Sequence, residues 1–206
     1  MLLTHYKELE QTMRKISSLI RKVTIPPVFA ALLLVAVYVA YPHYFSTLWQ
    51  LAAGLFFLTV LPTLAYPLQK YFPHFKDRGR DGQRTLAMLF SFAGYLLGTI
   101  TVYVTSAPLQ LKLIYMEYLL CGAAMLLLNK GFHLKASGHA CGIVGPVILL
   151  LYFRLYIPAI IGTALIVPVY IASVRTKQHT AAQLIGGSII PAVVLGLILS
   201  VMHAVL

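Results

Sequence analysis

From residue 24 onward the chain alternates long apolar runs with short polar stretches, the runs falling at about 24–41, 46–66, 86–105, 110–128, 139–153, 155–173 and 183–206. A helix that crosses a bilayer takes about 20 residues, and backbone in hydrocarbon must close its hydrogen bonds within its own segment or a closed barrel. The runs therefore predict an all-α, polytopic transmembrane helix bundle of six or seven spans. A break at Arg154 divides one long run into two. Tyr38, Tyr41, Tyr44, Tyr66, Tyr71, Tyr103, Tyr152 and Tyr156 fall mostly near the proposed ends, where amphipathic rings settle at the headgroup level.

Residues 1–23 carry a different pattern. Leu2, Tyr6, Leu9, Met13, Ile16, Ile20 and Val23 recur at alternating steps of four and three, one apolar helical stripe, with Lys7, Arg14, Lys15, Arg21 and Lys22 opposite. This is the pattern of a basic amphipathic helix lying on an anionic membrane surface; a coiled-coil strand is the alternative. The polar lead is too long for a signal peptide, and no small-residue cleavage site follows it. The chain thus divides into an interfacial helix, 1–23, and a bundle, 24–206.

Composition narrows the function. With 60% hydrophobic and 10% charged residues, a soluble domain is excluded. Sixteen Lys and Arg against five Asp and Glu, a formal charge of +11, suit anionic lipid headgroups or phosphate esters. So few carboxylates argue against a Mg²⁺ or Ca²⁺ cage, and no metal, other cofactor or nucleic acid is expected. Cys121 and Cys141 lack metal-ligand spacing and are expected to pack as small apolar residues. Counting crossings puts residues 1–23 and the loops 67–85, 129–138 and 174–182 on one face, with fourteen of the sixteen basic residues; only Lys112 and Arg154 lie opposite. By the positive-inside rule that face is cytoplasmic.

Two stretches on the basic face carry candidate chemistry: Lys135-Ala-Ser-Gly-His139 and Arg175-Thr-Lys-Gln-His179-Thr-Ala-Ala-Gln183. Ser137 is placed to cap the helix opening at Gly138, whose free N–H groups would face a docked anion. Gly138 lets a phosphate approach the backbone closely. Ser137-Gly138-His139, followed some forty residues later by His179-Thr-x-x-Gln183, resembles the type 2 phosphatidic acid phosphatase superfamily of integral lipid phosphatases, in the variant found among polyprenyl and dolichyl diphosphatases. The resemblance covers roughly residues 110–206.

It implies a nucleophilic His179, a general acid and base in His139, an orienting Gln183, and phosphate ligands in Lys135, Ser137, Gly138, Arg175 and Lys130. Isoprenoid (di)phosphates are the favoured substrates and phosphatidate-like lipids the next. The departures are specific. Where the family has an Arg six residues before the nucleophilic His, this chain has Ser173, with Arg175 nearby; Gln183 replaces an Asp. The Arg-Pro of the first signature is missing, and Arg80 and Arg84 in the loop 67–85 are the candidate substitutes. Family active sites usually face away from the cytoplasm. An inactive relative that binds anionic lipid or a membrane partner, or a small transporter, is the alternative. Glu117 lies some twelve residues, about 18 Å, from the basic loops and is expected to pair with Arg154 as a structural contact.

Overall fold

A computed structural model describes residues 11–13, 16, 17, 19, 24–132 and 134–205. The interfacial helix expected over 1–23 lies largely outside these. Seven apolar helices make up the rest: α1 (Pro26–Ala40), α2 (Leu48–Tyr71), α3 (Gly79–Val104), α4 (Leu109–Gly131), α5 (Gly138–Tyr152), α6 (Tyr156–Arg175) and α7 (Ala181–Val205). Each matches one of the seven apolar runs, and the described residues contain no strand. Five of them, α2, α3, α4, α6 and α7, are long and apolar enough to cross a membrane, so the chain is a multi-pass integral membrane protein. Helices α1 and α5 have 15 residues each, ~22 Å at 1.5 Å per residue, short of a ~30 Å hydrocarbon core.

The short α5 sits at the centre, packed on α1, α4, α6 and α7. Surrounded by protein, it need not match the lipid thickness. The outer helices turn bulky apolar side chains outward: Ile157 of α6 is 74% exposed and Val104 of α3 is 78% exposed. Such surface would aggregate in water, but in a bilayer it meets acyl chains.

Prolines and glycines set the local geometry. Pro62 cannot donate to the ladder of α2, and the turn before it widens to a π-helix over Phe56–Val60. The Thr63 hydroxyl donates to the Val60 carbonyl at 2.7 Å and sits 3.1 Å from that of Thr59, supplying partners where the ladder is disturbed. Beside this turn α3 presents Gly94, where any Cβ would overlap the Phe57 carbonyl, and one turn on Gly98, where it would overlap the Tyr115 ring of α4. Small residues here let the helices approach closely.

Three connections end a helix with a residue in the left-handed region: Ser106 after α3, Arg154 after α5 and Lys177 after α6, at φ +47°, +58° and +53°. In each case the next N–H reaches back five residues: Ala107 to Val102, Leu155 to Leu150, and Gln178 to Ser173, at 2.8–3.1 Å. These are Schellman caps, which reverse the chain within a few residues. Arg154 is exposed and serves as this cap. The expected pair with Glu117 is not formed, because the cap turns Arg154 outward at the end of α5 while Glu117 is buried in α4.

Gly94→Ala is expected to lower the thermal midpoint in detergent, by the ~1–3 kcal/mol typical of overpacking. Gly196→Ala, whose Cβ would have nothing within 4 Å, should leave it unchanged or raise it. Equal midpoints in a melting assay would contradict the close α2–α3 approach.

Candidate functional site

The two histidine stretches meet through the backbone. The N–H of Ser137, just before α5, donates to the carbonyl of Gln183 in the first turn of α7 at 2.9 Å. Gly187, one turn further along α7, makes this approach possible, since any Cβ there would overlap the Ser137 carbonyl. Ser137 also caps α5: its hydroxyl accepts from the Ala140 N–H at 3.2 Å. Ser137 is fully buried and its hydroxyl and N–H are both engaged. Burial and these two bonds give Ser137 a positioning role at the start of α5.

On α7, Thr180 and Gln183 cap the helix reciprocally. The Gln183 N–H donates to the Thr180 hydroxyl, and the Thr180 N–H donates to Gln183 Oε1, both at 3.3 Å. This is a capping box. A backbone N–H can only donate, so it fixes which end of the Gln183 amide is oxygen. The same Oε1 lies 3.2 Å from His179 Nδ1. An amide oxygen only accepts, so Nδ1 carries the proton and, in the neutral ring, the lone pair is on Nε2.

A cavity of about 1360 Å³ opens at this end of the bundle. His139, His179, Gly138 and Gln183 line it, together with Lys130, Lys135, Arg175, Arg80 and Arg84. Of the residues singled out in the sequence, only Ser137 is not on its wall. Lys130 lies in the last turn of α4 and Arg175 in the last turn of α6, where cations complement the helix dipole. Arg80 and Arg84 lie in the first two turns of α3, where the dipole disfavours them. Capping therefore does not account for that pair. Arg80 bridges to the facing loop, donating to Gln178 Oε1 at 3.0 Å.

Two further residues matter that sequence reasoning passed over, and a third, Thr180, entered it only as part of the His-Thr-x-x-Gln stretch. Asn129 accepts from the Ala136 N–H at 2.9 Å, tying the Lys135 segment to the end of α4. Gln178 anchors Arg80. Neither has a sequence signal, since both act on partners distant in the fold or across a loop. Thr180 did have one, the T-x-x-Q spacing of a capping box.

Glu117 is placed differently from expectation. It is 1% exposed and lines the deep part of this same cavity with Tyr95, Tyr118 and Cys121. Its Oε1 accepts from the Cys121 thiol at 3.4 Å. Distance along α4 suggested that it could not share the site; the depth of the cavity brings it in. Between mouth and floor the wall is largely apolar, formed by Pro26, Pro62, Met88, Phe92, Met125 and Pro146. Among the described residues, no three His, Cys, Asp or Glu side chains are grouped to hold a metal ion.

Thr180→Ala is expected to cost about 1 kcal/mol, the usual worth of an N-cap, with Thr180→Ser close to the parent. Chemical denaturation in detergent reads the difference; identical midpoints for all three proteins would mean that the cap contributes nothing. No protein family, no curated protein and no solved structure matches the chain.

Proposed function

We propose that the protein is a membrane-embedded phosphatase for lipid phosphates or diphosphates, acting through a phosphohistidine. One observation carries this reading: His139 and His179 line a single cavity with Lys130, Lys135, Arg175, Arg80 and Arg84, and their helices are joined by the Ser137–Gln183 bond. The resemblance of both stretches to the type 2 phosphatidic acid phosphatases supports the assignment of roles. Isoprenoid (di)phosphates are the favoured substrates and phosphatidate-like lipids the next. The apolar wall suits a lipid tail, and the cationic mouth suits its anionic head.

His179 Nε2 attacks phosphorus in line. The bond from phosphorus to the leaving oxygen breaks, and that oxygen takes its proton from His139. His139 then removes a proton from water, the hydroxide attacks phosphorus, and the P–N electron pair returns to His179. One difficult displacement becomes two easier ones. The cations hold the equatorial oxygens, where charge spreads in a loose transition state. The guanidinium forks of Arg175, Arg80 and Arg84 can each meet two oxygens at once, and the latter two take the place of the missing Arg-Pro. In this reading the mouth of the cavity faces the cytoplasm, as the concentration of Lys and Arg on that face implies.

Glu117 on the cavity wall favours a second reading, a small transporter for an anionic amphiphile, since intramembrane carboxyl groups mark pathways. Turnover separates the two. With chelator present, the parent in detergent is expected to release phosphate from polyprenyl phosphate or diphosphate, or from phosphatidate. His179→Ala and His139→Ala should each lose ~10²–10⁴-fold, the range of acid–base contributions. Unchanged release in His179→Ala would reject the nucleophile. Binding without release in the parent would leave a transporter or an inactive lipid-binding relative.

Orientation has its own test. A cysteine replacing the exposed Lys177 is expected to resist a membrane-impermeant thiol reagent in intact cells and to react after permeabilisation. Labelling of intact cells would reverse the assigned topology.

A further inference from the structure

The deep end of the cavity is polar in a way that a hydrocarbon tail does not explain. Glu117 is 1% exposed and Tyr118 is 7% exposed. Both line the cavity, and among the described residues neither Glu117 Oε2 nor the Tyr118 hydroxyl has a hydrogen-bond partner. A buried polar atom left unpaired costs about 1–3 kcal/mol, and buried polar groups are nearly always satisfied. Two such atoms on adjoining residues, at the end of a cavity, call for a ligand group that can both donate and accept. A hydroxyl does both: it donates to a carboxyl oxygen and accepts from the phenol. An acyl or isoprenoid end does neither. The floor is thirteen residues along α4 from Lys130, ~20 Å at 1.5 Å per residue, so one extended amphiphile can reach from the cationic mouth to Glu117.

We infer that Glu117 and Tyr118 form a second recognition site, for a hydroxyl carried on the tail of the amphiphile whose anionic head sits among the cations at the mouth. The ligand class is thus a hydroxylated lipid phosphate, not a plain hydrocarbon one. This rests on the mouth taking an anionic head, as proposed above, but not on hydrolysis. The wall between the two ends sets the distance at which the hydroxyl counts. A hydroxyl too near the head meets Met88, Phe92 and Met125 instead and loses its water without gaining a partner.

The test is binding of linear ω-hydroxyalkyl phosphates of increasing chain length, each against the alkyl phosphate of the same length, to the full chain in detergent. The parent is expected to prefer the hydroxylated member several-fold, at most about tenfold, at one chain length, the worth of one hydrogen bond, and to show no preference at shorter lengths. Glu117→Leu and Tyr118→Phe should each reduce that preference several-fold while leaving the affinity for alkyl phosphate unchanged; Tyr118→Phe removes a single oxygen and serves if the Glu117 variant does not fold. Equal binding of both series by the parent would overturn the inference, as would a preference that survives both substitutions. The outcome is separable from that of the phosphatase reading. His179→Ala should abolish phosphate release yet keep the hydroxyl preference, whereas release without any preference would leave the enzyme and remove the second site.

Discussion

The Ser137 N–H and the Gln183 carbonyl meet across two helix starts, and Ser137 is fully buried, so its N–H has no water to fall back on. Breaking that bond would orphan it. Gly187 makes the contact possible by leaving no Cβ between the chains, and Ser137 closes it on the other side by capping α5. His139 follows Ser137 by two residues, and His179 is tied to Gln183 through Nδ1. The relative placement of the two imidazoles is therefore set by backbone and capping geometry. Rigid helix starts hold side chains better than loops do; His139 sits at such a start, and His179, in the loop just before another, is tied to it through Gln183.

Around this joint the bundle gathers positive charge that it does not need for stability. Lys130 and Arg175 sit at helix C-termini and gain from the dipole. Arg80 and Arg84 sit at the N-terminus of α3 and lose by it; Asp81 in the same turn offsets part of the cost. Arg80 is held over the cavity by Gln178, which belongs to the loop carrying His179. Two loops far apart in the chain are thus joined above the same opening. The proposed anion site rests on this gathering of cations, two of them placed against the local helix dipole.

The cavity owes its depth to the shortness and centrality of α5. A 15-residue helix surrounded by α1, α4, α6 and α7 leaves space beside its start, and the apolar wall carries that space down to Glu117. The same close α3–α4 packing that seats Tyr115 against Gly98 walls off the far side. A cationic mouth, an apolar shaft and a polar floor are thereby arranged along one line, and an amphiphile has that same order of parts.

The order of elements was legible from the sequence because lipid imposes one rule on every segment: apolar residues outside, backbone bonded within. Seven runs became seven helices, the break at Arg154 became a Schellman cap, and Ser137 became an N-cap because capping is local chemistry. The resemblance to a lipid phosphatase family pointed to ten residues, of which nine line one cavity. What the sequence left open depended on which helix lies beside which. The burial of Ser137 away from the cavity, the Arg80–Gln178 and Asn129–Ala136 tethers, and the placing of Glu117 on the cavity floor all follow from packing between distant segments. Distance along one helix put Glu117 out of reach of the basic loops, and only the tertiary structure, by opening a deep space between helices, decided otherwise.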